Sequence, residues 1–276
     1  MLKSLYRFLH PRWQTVFLDY KVNPRPRYKT APHPLLNDLL EKNNEQYDKV
    51  LQNIAKHTTT LATIPKSSNQ ATKLHWDNQY FPMLDIMTLY SMVDSIKPSR
   101  FIEVGSGSST LVVDKARKEL NLDLEIISID PKPRQSISHI VDTQFESAFE
   151  ELDVDRLKLK KGDILFIDNS HRVLPNSDSM VFFMDVLPSL PKGVIVHLHD
   201  IYLPYDYPQV MCDRYYNEQY TLAAFLLSDT ERYSILFPGY YVSQTKTFHK
   251  DIQALFAAMP DKHEEQHGGS IWLEIC

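Results

Sequence analysis

The sequence predicts an α/β fold, a doubly wound and mostly parallel sheet with helices on both faces. Two patterns carry that expectation. From about residue 80 onward, short runs that are apolar almost throughout alternate with segments whose apolar residues recur at helical period. Strands of that kind belong in a sheet buried on both sides. In addition, polar residues or glycine stand at or just after the ends of these runs: Glu103, Gly105, Gly107, Asp130, Asp168, His171, His199 and Asp200. An open parallel sheet binds its ligands at that edge.

The elements follow in order. Residues 35–57 carry Leu36, Leu39, Leu40, Tyr47, Val50, Leu51 and Ile54 at helical spacing, and 58–70 reads as a loop. FPMLDIMTLYSMVDSI (81–96) reads as a helix ended by Pro98, RFIEV (100–104) as a buried strand and STLVVDKARKEL (109–120) as a helix. LEIISID (124–130) is a strand, RQSISHIVD (134–142) a helix, and FESAFEEL (145–152) a short strand running into a helix. DILFID (163–168) is a strand, and SDSMVFFMDVLPSL (177–190) a helix with Ser177 suited to its N-cap. GVIVHLHD (193–200) is a strand and YNEQYTLAAFLLSD (216–229) a helix, and YSILFP (233–238) and SIWLEI (270–275) close the sheet. Two regions are expected: a helical N-terminal extension over 1–75 and the α/β domain over 76–276.

Composition narrows the function. At 276 residues and 43% apolar, the chain can bury a sizeable core. A net charge of −5 argues against general attraction to nucleic acid. The only cysteines, Cys212 and Cys276, fit a reducing cytoplasm better than a structural disulfide. No apolar run approaches the roughly 20 residues that cross a bilayer. The basic N-terminus, MLKSLYRFLHPRW, places Leu2, Leu5, Tyr6 and Leu9 at helical spacing. Its apolar stretch is too short for a signal peptide, and the segment reads as a helix packed on its own domain or a partner. The alternative is an amphipathic helix on a membrane surface. Homo-oligomer formation through the N-terminal helices is a further expectation.

Glu103-Val-Gly-Ser-Gly-Ser-Ser-Thr110 follows the first strand and opens a helix, and it uses two of the chain's seven glycines. Gly105 and Gly107 let a ligand approach the backbone, with Ser108, Ser109 and Thr110 at the helix start. Asp130, at the end of the second strand and 25 residues beyond Gly105, can accept hydrogen bonds from ribose hydroxyls. Nicotinamide dinucleotides and S-adenosylmethionine (SAM) share this layout. Thr110 stands where G-x-G-x-x-G needs its third glycine, and Glu103 would repel a pyrophosphate. The ammonium and sulfonium of SAM suit that carboxylate.

E-V-G-S-G-S-S-T resembles motif I of the class I SAM-dependent methyltransferases, with Ser109 in place of their usual third glycine, and Asp130 matches the acid after their second strand. YSILFP and SIWLEI resemble their sixth and seventh strands. SIDPKPR (128–134), GDILFIDNSHRV (162–173), GVIVHLHDIYLPYDYP (193–208), YNEQYTLAAFLL (216–227) and GGSIWLEI (268–275) resemble phrases of a bacterial group of these enzymes. The resemblance covers roughly 76–276. It implies a seven-stranded Rossmann-like sheet with an antiparallel last strand, and SAM contacts from Glu103, Gly105, Gly107, Ser108, Ser109, Thr110, Asp130 and Asp168. It does not imply the methyl acceptor.

On the acceptor side, Asp168-Asn-Ser-His171 ends the fourth strand and His197-Leu-His199-Asp200 ends the fifth. His199 is the expected general base, His171 the second candidate, with Asp168 and Asp200 beside them. Asp168, His199 and Asp200 also read as a metal site. Related metal-dependent O-methyltransferases place acids at two of those positions, and the histidine turns the set from Mg²⁺ toward Zn²⁺, Fe²⁺ or Mn²⁺. Tyr202, Tyr205 and Tyr207 are candidates to wall an acceptor pocket. Asn217 and Glu218 either touch substrate or hold the loop before them. Trp76 and Tyr80 are candidates to close over the adenosine, though Trp76 is expected rather to pack in the core. The expected activity is methyl transfer to a hydroxyl or amine of a small molecule. The alternatives are a SAM-binding metalloenzyme of other chemistry (cyclisation or oxidation), an NAD-type oxidoreductase and a non-catalytic binding module.

Overall fold

The structure, a computed structural model, describes residues 14–70, 72–133, 137–153, 157–259 and 266–276. Its centre is a seven-stranded sheet in the order β3-β2-β1-β4-β5-β7-β6. The strands are β1 (Arg100–Val104), β2 (Glu125–Ile129), β3 (Thr143–Phe145), β4 (Ile164–Ile167), β5 (Ile195–His199), β6 (Tyr233–Pro238) and β7 (Ser270–Ile275). β7 runs antiparallel to both of its neighbours, and the other pairings are parallel. This is the expected sheet, including the reversed last strand.

Register fixes where the functional edge lies. Val104 pairs with Ile129 and with Ile167, and Ile167 pairs with Leu198. The carboxyl ends of β2, β1, β4 and β5 therefore stand level, and strand order reverses between β1 and β4. Backbone bonds continue the ladder into the loops: Gly105 N donates to Ile129 O at 3.0 Å and Asp168 N to Val104 O at 2.9 Å. Asp130, Gly105, Asp168 and Asp200 thus leave the sheet side by side.

The helices cover the sheet because of their apolar faces. α1 (Pro34–Glu41) and α2 (Asn44–Lys56) each bury one stripe: Leu36 and Leu40, then Tyr47, Val50, Leu51 and Ile54. A short turn of helix, α3 (Thr58–Leu61), follows. α4 (Met83–Ile96) is apolar nearly all round and is buried from Met83 through Val93, as a helix enclosed on every side must be. α5 (Ser108–Glu119) leads back from β1. The Tyr47 ring meets Phe237 of β6 edge to face at 6.3 Å, so the N-terminal helices share one core with the sheet. Trp76 is buried in that core, as expected.

Four local departures have physical causes. The period over 35–57 is broken at Lys42 and Asn43, so two helices form. In RQSISHIVD, residues 134–136 lie outside the described residues, and the rest is a turn closed by Ile140 N on Ile137 O. Its apolar spacing instead serves a small cluster of Leu111, Ile137 and Ile140. The helix expected over 177–190 starts on Ser177, whose hydroxyl accepts from Met180 N. It is α-helical only in α6 (Asp178–Val181), widening to π turns over Phe182–Val186 and tightening to 3₁₀ at Leu187–Ser189. Pro188 lacks the N–H that would close the last α turn, and the widened segment buries both Phe182 and Phe183. Sequence patterning singled out neither α9 (Gly239–Gln244) nor α10 (His249–Ala257), whose apolar spacing is interrupted at Thr245. Two further helices, α7 (Gln209–Cys212) and α8 (Glu218–Ser228), precede β6. The amphipathic helix expected at 1–13 lies outside the described residues. Among the described residues, no helix is long and apolar enough to cross a membrane.

The shared core has a thermal consequence. Ile54→Ala deletes a fully buried side chain of α2 and should cost about 2–5 kcal/mol. A calorimetric scan is expected to show one transition, displaced downward as a whole by roughly 5–15 °C. A split transition with only one limb displaced would show that the N-terminal helices melt alone.

Candidate active site

The turn after β1 is shaped by close backbone approach. Gly105 has φ +84°, and a Cβ there would stand 1.9 Å from the carbonyl oxygen of Asp168. Gly105 thus lets the β1 and β4 loops touch. Gly107 is different: a Cβ there meets nothing within 4 Å, so this glycine faces open space. That space is a narrow cavity of about 50 Å³ lined by Tyr80, Phe81, Ser106, Gly107, Ser108, Ser109 and Asp168.

Two acids brace the turn. Glu103 is fully buried and accepts from Ser109 Oγ at 3.0 Å and Thr110 Oγ1 at 2.5 Å. Burial pushes its carboxyl up to about 8, against the pull of those two hydroxyls. Asp130 accepts from Ser106 N at 3.0 Å and Ser106 Oγ at 3.1 Å on one oxygen, and from Lys132 N at 2.7 Å on the other. A carboxylate offers about four acceptor positions, so one is left for a ligand hydroxyl.

Beside the turn lies a cluster of two imidazoles and four carboxylates. His199, 3% exposed, turns Nδ1 toward Asp168 Oδ1 at 3.6 Å and Asp200 Oδ1 at 3.7 Å, and Nε2 toward Asp85 Oδ2 at 3.6 Å. These separations exceed hydrogen-bond length, and neither ring nitrogen has a hydrogen-bond partner. His171 Nδ1 bonds Glu218 Oε1 at 2.5 Å, while Nε2 stands 3.4 Å from Asp168 Oδ1 and 3.3 Å from Asp200 Oδ2. Burial alone would lower both imidazoles. Glu218, then Asp200 and Asp168, raise His171 to about 9. Asp200, Asp168 and Asp85 raise His199 well above its ordinary value. Four acids against two imidazoles make the pocket attractive to a cation.

The surrounding chain holds these groups in place. Asp85, in the first turn of α4, accepts from Gly269 N at 2.7 Å and Ser270 Oγ at 2.6 Å. His171 and Asp200 take left-handed backbone angles, φ +60° and +53°, uncommon for such residues. Asn217 N donates to His171 O at 3.0 Å and Asn169 Oδ1 accepts from His171 N at 2.9 Å. One strand residue deeper, His197 stacks on Trp272 at 3.9 Å. Burial, then the charge of His199, push it below its ordinary value.

The structure therefore brings together every residue singled out from sequence at the strand ends. Asn217 and Glu218 hold the loop and the cluster. Tyr202 and Tyr207 pack with Cys212 and Tyr216 in a buried core of their own, so they stiffen the loop. Three participants escaped the sequence reading. Ser106 was hidden as the variable residue between two glycines. Phe81 was read as the first residue of a helix that in fact begins at Met83. Asp85 had a signal, an acid inside the most apolar part of a helical run.

Residues 102–201 match the family model described as a methyltransferase domain. Among curated proteins none matches the chain. Similar solved structures include an S-adenosylhomocysteine-bound methyltransferase of Podospora anserina, at 14% identity over 81% of this chain and 88% of that one, with a TM-score of 0.44. An O-methyltransferase of Bacillus cereus in complex with S-adenosylhomocysteine is 15% identical over 88% of this chain and 96% of that one, with a TM-score of 0.42.

Two outcomes test this local geometry. Gly105→Ala sets a Cβ against the Asp168 carbonyl in a left-handed backbone and should destabilise by about 2 kcal/mol or more, read as a fall in denaturant midpoint. Glu103 has a folded value near 8 against an ordinary 4.5. Its contribution to stability is complete below pH 4.5 and is lost as pH rises through 8. Glu103→Gln is expected to flatten the melting temperature against pH across that window, and an unchanged slope would show that Glu103 does not titrate there.

The sheet order, the glycine turn after β1 and the acid after β2 give a Rossmann-like fold, and residues 102–201 within it match a methyltransferase domain.

Proposed function

We propose that the protein transfers the methyl group of SAM to a hydroxyl or amine of a small molecule. One observation carries this reading: Asp168 lines the cavity against the glycine turn and also belongs to the His/Asp cluster. A methyl donor seated on Ser106–Thr110 with its ribose on Asp130 would have its sulfonium beside that cluster. Glu103, Gly105, Gly107, Ser108, Ser109, Thr110, Asp130 and Asp168 are the proposed cofactor residues. Tyr80 and Phe81 stand at the cavity and must shift to admit the whole cofactor.

Methyl transfer is an in-line displacement, so the acceptor atom has to approach the sulfonium carbon to about 3 Å and lose its proton. His199, His171, Asp168 and Asp200 are the proposed catalytic residues. His199 Nδ1 is the foremost candidate to receive the proton: it faces the cluster without a hydrogen bond, and Asp200, Asp168 and Asp85 stabilise the imidazolium that forms. The carboxylates of Asp168 and Asp200 hold the acceptor and the imidazoles in place.

A metal-assisted version has its own support. Ligand atoms of Asp168, His199 and Asp200 all lie within 4.8 Å of one another, and the Nδ1 of His199, which makes no hydrogen bond, is what a coordinating ion would engage. A bound divalent ion would orient the acceptor oxygen and make it easier to deprotonate.

Titration calorimetry is expected to show binding of SAM and S-adenosylhomocysteine. Asp130→Ala should weaken it at least tenfold, about 1.4 kcal/mol. Failure of the native protein to bind either compound would overturn the reading.

A further inference from the structure

We infer that Arg172 and Arg214, gathered on the Tyr216 ring, form a binding site for an oxyanion, and that the methyl acceptor is a small molecule carrying a carboxylate or a phosphate. The inference rests on the methyl-transfer reading above and names its substrate class.

Tyr216 is shared by two systems of charge. Its ring meets the His171 imidazole at 4.5 Å between centroids. The guanidiniums of Arg214 and Arg172 lie 4.5 and 5.0 Å from the centre of the same ring. One aromatic ring therefore joins the acidic cluster to two positive charges. Its hydroxyl responds to both. Burial pushes it up to about 12, Arg214 and Arg172 pull it down, and Asp200 and Asp168 push it up.

The arginines are placed but not neutralised. Arg172 follows His171 directly, so one loop supplies both an imidazole of the cluster and a guanidinium outside it. Arg172 Nε donates to Arg214 O at 2.8 Å and one Nη to Ser170 O at 2.9 Å. Those partners are carbonyls, and among the described residues neither arginine forms an ion pair with a carboxylate. Two neighbouring guanidiniums repel each other, and an oxyanion between them removes that repulsion. Their planar forks match the oxygens of a carboxylate or phosphate.

A cavity of about 230 Å³ opens on this ring, with Arg25, Tyr215, Tyr216, Asn217 and Tyr220 in its lining. Asn217 gives Oδ1 to Val173 N at 2.7 Å, which leaves its NH₂ group as a donor for a ligand. Tyr215 and Tyr220 are exposed aromatics that supply apolar wall for the ligand's body. The segment bearing Arg25 is anchored to the opposite wall. Gln209 Nε2 donates to Pro24 O at 2.8 Å, and Asp206 Oδ2 accepts from Tyr28 N at 2.8 Å. A third cation thus reaches the cavity from a distant part of the chain.

The order of charges sets the ligand. The acids of the cluster attract the cationic sulfonium and repel an anion. An acceptor whose anionic group is held on the arginines keeps that group one ring away from the acids, and only its hydroxyl or amine enters the cluster. A cationic acceptor would meet the opposite field at the arginines.

The test is titration calorimetry of the full chain, with and without S-adenosylhomocysteine, against benzoate, its neutral isostere benzamide, and inorganic phosphate. At least one anion is expected to bind about tenfold or more tighter than benzamide, benzoate leading for a carboxylate acceptor and phosphate for a phosphorylated one. Arg214→Gln, a change at an exposed side chain, should weaken that anion about tenfold and leave S-adenosylhomocysteine affinity unchanged. Arg214→Lys, which keeps the charge but not the fork, should recover only part of the loss. Benzamide binding as tightly as the anions, no anion binding, or unchanged anion affinity in Arg214→Gln would overturn the inference. The product gives a second readout. Labelled methyl passed from SAM into a small-molecule extract of the source cells is expected in a compound retained on an anion exchanger, and a labelled neutral or cationic compound would overturn the inference. S-adenosylhomocysteine binding without anion binding would overturn it and leave the methyltransferase reading intact. Anion binding without S-adenosylhomocysteine binding would overturn that reading and the acceptor assignment with it.

Discussion

Four carboxylates and two imidazoles occupy one pocket at the edge of the sheet, and removing so many ionisable groups from water is costly unless each is paired. Asp85, Glu218 and His199 are almost wholly buried, and His171 nearly so. The fold meets this demand by alternating acids and imidazoles, so that each histidine lies between carboxylates on both sides. No single loop supplies the set. α4, the β4 loop, the end of β5 and the first turn of α8 each contribute, so the pocket exists only when the whole domain is assembled.

The sheet makes that assembly reproducible. Because the central strands end in register, the glycine turn, Asp130, Asp168 and Asp200 are set side by side without long loops. The Gly105 backbone then lies directly against the Asp168 carbonyl. The turn that would cradle a cofactor and the acid that would meet its reactive end are thereby mechanically coupled. Glu103 reinforces the turn from beneath through Ser109 and Thr110, an arrangement fitting a rigid cofactor platform.

Much of this was legible in the sequence because it follows from period and position. Buried parallel strands are apolar throughout, so β1, β2, β4 and β5 were readable, and functional residues of such a sheet follow its strands. The candidates Asp168, His171, His199 and Asp200 were located that way. What escaped depends on contacts distant in sequence. Asp85 lies some 80 residues or more before the other members of the cluster, and only tertiary packing joins it to His199. Glu218 was visible as a polar residue, but its role depends on where α8 docks. The apolar spacing of Ile137 and Ile140 suggested a helix, yet a turn tucked over Leu111 uses the same spacing. The division of Gly105 and Gly107 into one packing glycine and one open glycine likewise needed coordinates.

The account stands on Asp168 belonging to two sites at once. A crystal structure with S-adenosylhomocysteine tests that most directly. The account requires the ribose on Asp130, the glycine turn against the ligand, and the sulfur turned toward Asp168 and His199. A ligand bound with its sulfur directed away from that cluster, or seated elsewhere on the molecule, would contradict it.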